Sequence, residues 1–185
     1  MKKNIFKFVF ALSIIAGLQS CQAQKVVVNR QVETPNEGIM LLGTQTADQF
    51  KKEPFTSWYQ PQYDNYQIDQ EALTGLKKEK FNSYQLVVFL GTWCGDSHRD
   101  FPRFMKILDA TKFPQSKLTI IAVNRKKESP NGEEGIYNIS RVPTIIVKKY
   151  GKEIGRIVEH TQSGFIEKDL LQILQKDNAE GLLKK

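Results

Sequence analysis

Residues 85–97 read QLVVFLGTWCGDS, an apolar run that passes through a glycine into a tryptophan and a cysteine. The run Gln85–Leu90 is rich in β-branched and aromatic residues, which is typical of a strand buried on both faces. The next segment, Ser97–Thr111, predicts a helix because four apolar residues share one helical face: Phe101, Phe104, Met105 and Leu108. The stretch therefore predicts a strand followed at once by a helix, with Cys94 at the junction.

The segments after this junction continue the alternation of strands and helices. Leu118–Val123 and Val142–Val147 are short apolar runs that predict two further buried strands. Residues 149–152 predict a hairpin turn that leads into a returning strand at Glu153–Val158. The amphipathic pattern of Gly164–Lys176 predicts a closing helix. This order favours an α/β fold with a central mixed β-sheet flanked by helices.

The segment before the junction is predicted to be an addition to this domain. We expect residues 21–80 to form a tether and an N-terminal extension that packs on a domain at residues 81–185. Asp69–Lys80 predicts a helix with Asp69 as its N-cap. Aromatic residues concentrate in Phe55–Tyr66, for which two interpretations stand. This segment is either a lid or recognition surface, or the part of the extension that packs against the sheet.

Several features of the domain occur together and in a fixed order. Trp93 precedes Cys94, Pro102 lies eight residues after that cysteine, and Val142-Pro143-Thr144 begins a strand. This combination resembles the thioredoxin-like family, over roughly residues 81–176. The segments TWCGDSHRDFP, RVPTIIV and GKEIGRIVE together resemble a subfamily with a Trp-Cys-Gly-Asp motif. The resemblance implies a thioredoxin-like fold with an N-terminal extension.

The resemblance also implies a set of site residues. Cys94 would be the nucleophile of thiol–disulfide exchange, with Trp93 beside it. Pro143 would be cis and would face the cysteine, which leaves the backbone of Val142 able to pair with a partner peptide as a β-like strand. Thr144 would begin the strand proper and complete the substrate-binding segment.

One residue departs from the family pattern in a way that changes the chemistry. In the two-cysteine mechanism, a second cysteine resolves the mixed disulfide that the first forms with its partner. Ser97 stands at that position, and a hydroxyl cannot form the disulfide, although it can donate a hydrogen bond to the Cys94 thiolate. Val88 stands where thioredoxin has a buried aspartate that assists the resolving cysteine. The sequence therefore predicts exchange by a monothiol on exported protein thiols or mixed disulfides, with an external thiol reductant to release Cys94.

Two effects of opposite sign act on the predicted nucleophile. The free N–H groups and the dipole at a helix N-terminus favour a thiolate, whereas Asp96 in the first turn repels it. An alternative interpretation is a non-catalytic binding or scaffold protein with a residual thiol. Peroxide reduction by Cys94 is disfavoured because the leader consumes or removes Cys21, which leaves no second cysteine to resolve a sulfenic acid.

The N-terminus predicts export from the cytoplasm. Residues 1–20 combine a basic start with the apolar core FVFALSIIAGL, as in a signal peptide. The segment Leu18–Cys21 resembles a bacterial lipoprotein box, which makes Cys21 the lipidated first residue of the mature chain. The alternatives are cleavage after Ala23 and retention of the apolar core as an anchor helix. We expect an extracytoplasmic protein of the bacterial cell envelope that faces the periplasm and is tethered to the membrane by its lipid.

Charge and histidine content argue against several other partners. The chain has 27 basic and 20 acidic residues, but the excess is small outside the leader and forms no stripe, which argues against nucleic acid. The two histidines and the thiol are widely spaced, so no metal site and no cofactor are expected. For His98, we favour a solvent-facing side chain over a proton donor. For His160, beside Glu159, the alternative to a surface position is a role in partner recognition.

Overall fold

The computed structural model describes residues 27–35 and 38–183 of the chain. The predicted signal peptide, Cys21 and the cleavage position after Ala23 lie outside the described residues. Within those ranges the strands are β1 (Arg30–Thr34), β2 (Gly38–Gln45), β3 (Gln85–Leu90), β4 (Leu118–Ala122), β5 (Thr144–Lys149) and β6 (Lys152–Val158). The α-helices of the same ranges are α1 (Thr56–Asn65), α2 (Gln70–Lys78), α3 (Gly95–Thr111), α4 (Glu133–Ile136) and α5 (Ile166–Leu183). Among the described residues, no helix is both long and apolar enough to cross a membrane.

The strands form one mixed sheet in the order β1-β2-β4-β3-β5-β6. β3 and β4 are parallel, which requires the long crossover that α3 supplies. The other neighbouring strands pair antiparallel. The predicted mixed sheet with flanking helices is therefore confirmed. The predicted N-terminal extension also adds strands to that sheet, because Gly43–Gln45 of β2 pairs with Ile120–Ala122 of β4.

The central strand β3 is buried on both faces, as its composition predicts. Successive side chains of a strand point to opposite faces, so the run divides between two cores. Leu86, Val88 and Leu90 join the larger core beneath the helices. Val87 and Phe89 join a smaller core on the opposite face, against which Trp93 and Cys94 pack. Cys94, four residues after the end of β3, therefore lies at the edge of this second core.

The aromatic segment folds into helix α1 and packs against α3. Tyr59 of α1 is almost fully buried, and its ring meets Phe101 of α3 at 6.1 Å between centroids. Phe50 approaches the same Phe101 ring at 4.5 Å. Aromatic contacts of this kind add about 0.5–1.5 kcal/mol beyond the buried area. The segment therefore packs inward, but its partner is the helix that follows Cys94 and not the sheet that the second interpretation expected.

A buried carboxylate ties the last helix to the extension. Glu167 in the first turn of α5 is fully buried and accepts hydrogen bonds from Tyr66 Oη at 2.6 Å and Asp69 N at 2.7 Å. Burial and the hydrogen bond to this carboxylate raise the pKa of Tyr66 well above its ordinary value. Asp69 is itself the N-cap of α2, as predicted, because its carboxylate accepts from Ala72 N at 2.9 Å. The link between α1 and α2 is thereby fixed to α5.

Candidate active site

Cys94 occupies the corner between β3 and α3 and is the N-cap residue of the helix. Its N–H donates to the Gly91 carbonyl at 3.0 Å, and its own carbonyl accepts from the His98 N–H at 2.9 Å. The side chain is half-buried, and among the described residues it is the one cysteine, with a free thiol. The sulfur therefore stands at the positive end of a 17-residue helix, where negative charge is favoured.

The Trp93 side chain makes three contacts, with Val123, Gly91 and Arg125. Its Nε1–H donates to the Val123 carbonyl at 2.8 Å, across the sheet edge. Its ring covers Gly91 so closely that a Cβ on that glycine would lie 2.5 Å from the indole. The Arg125 guanidinium lies over the same ring, 5.2 Å from its centroid. Gly91 is therefore required by the close approach of Trp93, and the loop that carries Cys94 is fixed on this side.

Ser97 lies in a different environment from the one that the sequence predicts. Its side chain is fully buried, and its Oγ accepts a hydrogen bond from Gly91 N at 3.2 Å. The Cys94 thiol instead donates to the Val142 carbonyl, with an Sγ–O distance of 3.4 Å. The expectation that Ser97 donates to Cys94 is therefore corrected. Ser97 steadies the start of the loop because its hydroxyl reaches back to an N–H that would otherwise be buried without a partner.

His98 does not face solvent as expected. Its Nε2 lies 2.7 Å from the Thr92 carbonyl, and its ring stacks on Trp58 of α1 at 4.3 Å with an interplanar angle of 10°. Thr92 in turn accepts at its Oγ1 from Leu41 N of β2 at 3.2 Å. The sequence shows no sign of the stacked pair, because Trp58 and His98 are far apart in the chain and meet only when α1 packs on α3. His98 thus links the extension to the loop that carries Cys94.

The segment 142–144 lies opposite the thiol. The Val142–Pro143 peptide bond is cis, and the Val142 carbonyl is the group that meets Cys94 Sγ. Thr144 begins β5, but its side chain is buried and its Oγ1 donates to the Arg141 carbonyl at 2.7 Å. The structure therefore brings Cys94, Val142 and Pro143 together. Thr144 turns its side chain inward and supports the segment without offering its hydroxyl to a partner.

Charged side chains surround the first turn of α3. Arg99 donates to Asp96 Oδ1 at 2.8 Å and to both oxygens of Asp100 at 2.8 and 2.7 Å. The hydrogen bonds and charge of Asp100 are the main reason that the pKa of Arg99 lies further above its usual range. This fork-shaped pairing is the strong geometry for a guanidinium and a carboxylate. Arg99 is thus held by Asp100 and places one charge beside Asp96.

These features define a thioredoxin-fold protein with one half-exposed thiol at a helix N-terminus, opposite a cis-proline segment. The thioredoxin family model matches residues 74–172, which is more than half of the chain. The chain therefore belongs to the thioredoxin family, a class whose chemistry is thiol–disulfide redox. The match spans Cys94 and the 142–144 segment.

Several solved structures are similar to this chain at low sequence identity. PA1234 of Pseudomonas aeruginosa, a protein of unknown function, shares 17% identity over 66% of this chain and 82% of its own, with a TM-score of 0.50. Thioredoxin O2 of Arabidopsis thaliana shares 21% identity over 60% and 90%, with a TM-score of 0.36. The thioredoxin pre-protein of Schistosoma mansoni shares 25% identity over 60% and 93%, with a TM-score of 0.37. None of the curated proteins compared with the chain matches it.

Proposed function

We propose that this protein performs thiol–disulfide exchange as a monothiol, with Cys94 as the nucleophile. The observation that carries the proposal is the placement of a half-exposed thiol at the N-terminus of α3, 3.4 Å from the Val142 carbonyl. Ser97 stands where a resolving cysteine would be needed, and its buried hydroxyl is engaged with Gly91. A disulfide formed by Cys94 therefore has to be released by another molecule.

The exchange consists of two balanced steps. The Cys94 thiolate attacks one sulfur of a mixed disulfide on an exported protein, a new S–S bond forms, and the old one breaks. The departing thiolate takes up a proton. An external thiol then attacks the disulfide on Cys94, which restores the Cys94 thiolate and carries the attacking sulfur away in a new disulfide. The net result is transfer of the partner sulfur, with no change in the number of disulfide bonds.

The segment 142–144 supplies the recognition in this proposal. An extended peptide that pairs with the Val142 backbone gains main-chain hydrogen bonds, which are largely independent of sequence. Its disulfide then lies beside Cys94, because the Val142 carbonyl already contacts the sulfur at 3.4 Å. A substrate N–H that takes over this carbonyl would free the thiol from its hydrogen bond. Recognition and release of the nucleophile are coupled in this way.

The test is covalent capture of a model peptide that carries a mixed disulfide. After incubation without added thiol, we expect an adduct on non-reducing gels that disappears when an external thiol is added. Both proteins compared carry Cys21→Ala, because Cys21 would otherwise offer a second thiol. The intact Cys94 site should form the adduct, and Cys94→Ala should form none. If the intact Cys94 site forms no adduct under mild oxidation, the scaffold interpretation replaces this one.

We further propose that the protein acts outside the cytoplasm, tethered to the bacterial envelope by a lipid on Cys21. The proposal is supported by the signal-like composition of residues 1–20 and by the lipoprotein-like segment Leu18–Cys21. Fractionation of expressing cells tests it. The unchanged chain should partition with membranes, and Cys21→Ser should not carry the lipid. An unchanged chain that is cleaved after Ala23 and soluble would support ordinary signal-peptidase processing instead.

A further inference from the structure

Three potential metal ligands converge beside the thiol, from parts of the chain that are far apart in sequence. Asp96 lies in the first turn of α3, and Glu159 and His160 follow directly after β6. One ligand atom from each lies within 4.8 Å of the others. We propose that Asp96, Glu159 and His160 bind a divalent transition-metal ion of the zinc type.

The backbone explains why these residues meet. The Glu159 N–H donates to the Pro143 carbonyl at 2.7 Å, which fixes the end of β6 to the segment opposite Cys94. Asp96 is two residues beyond Cys94, in the first turn of the helix that Cys94 caps. His160 Nε2 already lies 3.8 Å from Glu159 Oε2. The cluster is thus built from the start of α3 and the segment that follows β6.

The chemistry of the three groups selects the metal class. An imidazole nitrogen with two carboxylates suits zinc, whereas calcium and magnesium prefer oxygen ligands alone. Ligand atoms bound tetrahedrally at about 2.1 Å lie about 3.4 Å apart. A spacing of at most 4.8 Å therefore has to close by no more than about 1.4 Å. The His160 side chain is 63% exposed, so its rotation can provide most of that movement.

Two arginines contact the carboxylates, and neither contact prevents the binding of a cation. Arg99 donates to a single oxygen of Asp96 and retains its fork-shaped pairing with Asp100 when that bond is lost. Arg141 pairs with Glu159 through a side chain that is 64% exposed. Ion pairs near the protein surface contribute little free energy, so a cation can compete with the arginines for these carboxylates. The carboxylates can therefore be shared with, or transferred to, a bound ion.

The experiment is calorimetric titration of Zn²⁺ into tag-free protein in which Cys21 and Cys94 are both alanine. These replacements remove thiol binding, so the result does not depend on the proposed exchange function. We expect one equivalent of Zn²⁺ to bind. His160→Ala and Asp96→Asn should each weaken the affinity about 10-fold or more, because loss of a mere second-sphere partner already costs 10- to 100-fold. His98→Gln, which removes the chain's other histidine, should leave the affinity unchanged.

Three results of this titration would overturn the proposal. Absence of measurable binding by the cysteine-free protein overturns the proposal. Binding that survives His160→Ala, or that falls equally in His98→Gln, also overturns it, because the ion is then held elsewhere. Circular dichroism of each variant confirms that the fold is retained, and Asp96→Asn provides a second reading if His160→Ala does not fold.

Discussion

Gly91, Trp93 and His98 each hold the loop around Cys94 through one close contact. The indole of Trp93 rests on Gly91, and the imidazole of His98 reaches the Thr92 carbonyl at 2.7 Å. Both contacts act on the backbone immediately before the cysteine. The position of the sulfur therefore depends on side chains other than that of Cys94.

Replacing Gly91 should disturb the site through Trp93. In Gly91→Ala, the new Cβ lies 2.5 Å from the indole, so the ring has to move. Overpacking of this kind costs about 1–3 kcal/mol. Urea unfolding should show this loss, and near-ultraviolet circular dichroism should show altered tryptophan signals. Gly95→Ala is the matched control, because nothing lies within 4 Å of a Cβ there; a loss of stability as large in the control would contradict the explanation.

His98 should act as a positioning residue, which His98→Phe separates from simple packing. Phenylalanine can keep the stack on Trp58 but loses the hydrogen bond to Thr92. A hydrogen bond is worth about 0.5–1.5 kcal/mol, which corresponds to about 2- to 10-fold in rate. We expect the rate of disulfide exchange to fall by this factor, while the free energy of unfolding falls by no more than about 1.5 kcal/mol, the value of the bond itself. An unchanged rate would show that the contact does not position the thiol.

The elements are joined by polar contacts that sequence periodicity does not show. The amphipathic pattern predicts that α5 buries one face, but the fully buried Glu167 in its first turn binds two donors from the extension. Asp69 both caps α2 and pairs with Lys168 of α5 at 2.9 Å. The extension is thus fixed to the last helix at one junction.

Removing Glu167 should be costly because its two partly buried donors would lose their acceptor. In Glu167→Ala, Tyr66 Oη and Asp69 N lose a charged acceptor. The expected loss in the free energy of unfolding is about 2–4 kcal/mol. Glu180→Ala, at an exposed position near the other end of α5, should change stability by less than about 0.5 kcal/mol. Equal effects of the two variants would contradict this role.

Asp69 should contribute to stability in a way that depends on pH. Its pKa is lowered from 3.8 chiefly by the hydrogen bond from the Ala72 N–H and also by Lys168. A carboxyl whose pKa falls on folding stabilises the protein above its unfolded-state value and loses that contribution as pH falls through the folded-state value. The stability difference between the unchanged protein and Asp69→Ala should therefore be full near pH 7 and shrink below pH 3.8. Chemical unfolding at both pH values measures it, and a difference that grows in acid would contradict the assignment.

At the scale of the whole molecule, the sequence predicts the fold well and the surroundings of the thiol less well. Gln85–Leu90 is predicted to the residue because its apolar run is continuous, and Asp69 is predicted because a cap is a local feature. The pairing of β2 with β4 is not predicted, since the register of distant strands is not written in either strand. The stack of Trp58 on His98 is missed for the same reason.

In the candidate site, too, local sequence features are predictable and contacts between distant residues are not. Trp93, Cys94 and the 142–144 segment are recognisable by motif. The inward hydroxyls of Ser97 and Thr144 depend on which backbone groups each meets after folding. The convergence of Asp96, Glu159 and His160 likewise requires two distant chain segments to meet. Contacts between residues that are distant in the sequence therefore become visible only in the folded structure.

The dependence of Cys94 on an outside thiol is tested by comparing the unchanged site with Ser97→Cys after reaction with a mixed-disulfide peptide. Intact mass is measured on the full chain, with Cys21→Ala in both proteins. We predict that the unchanged site retains the adduct on Cys94 until an external thiol is added. Ser97→Cys should release the peptide without added thiol, because the introduced thiol resolves the adduct and forms an internal disulfide with Cys94. Retention of the adduct by Ser97→Cys, or spontaneous release by the unchanged site, would contradict the conclusion that Cys94 needs another molecule for its release.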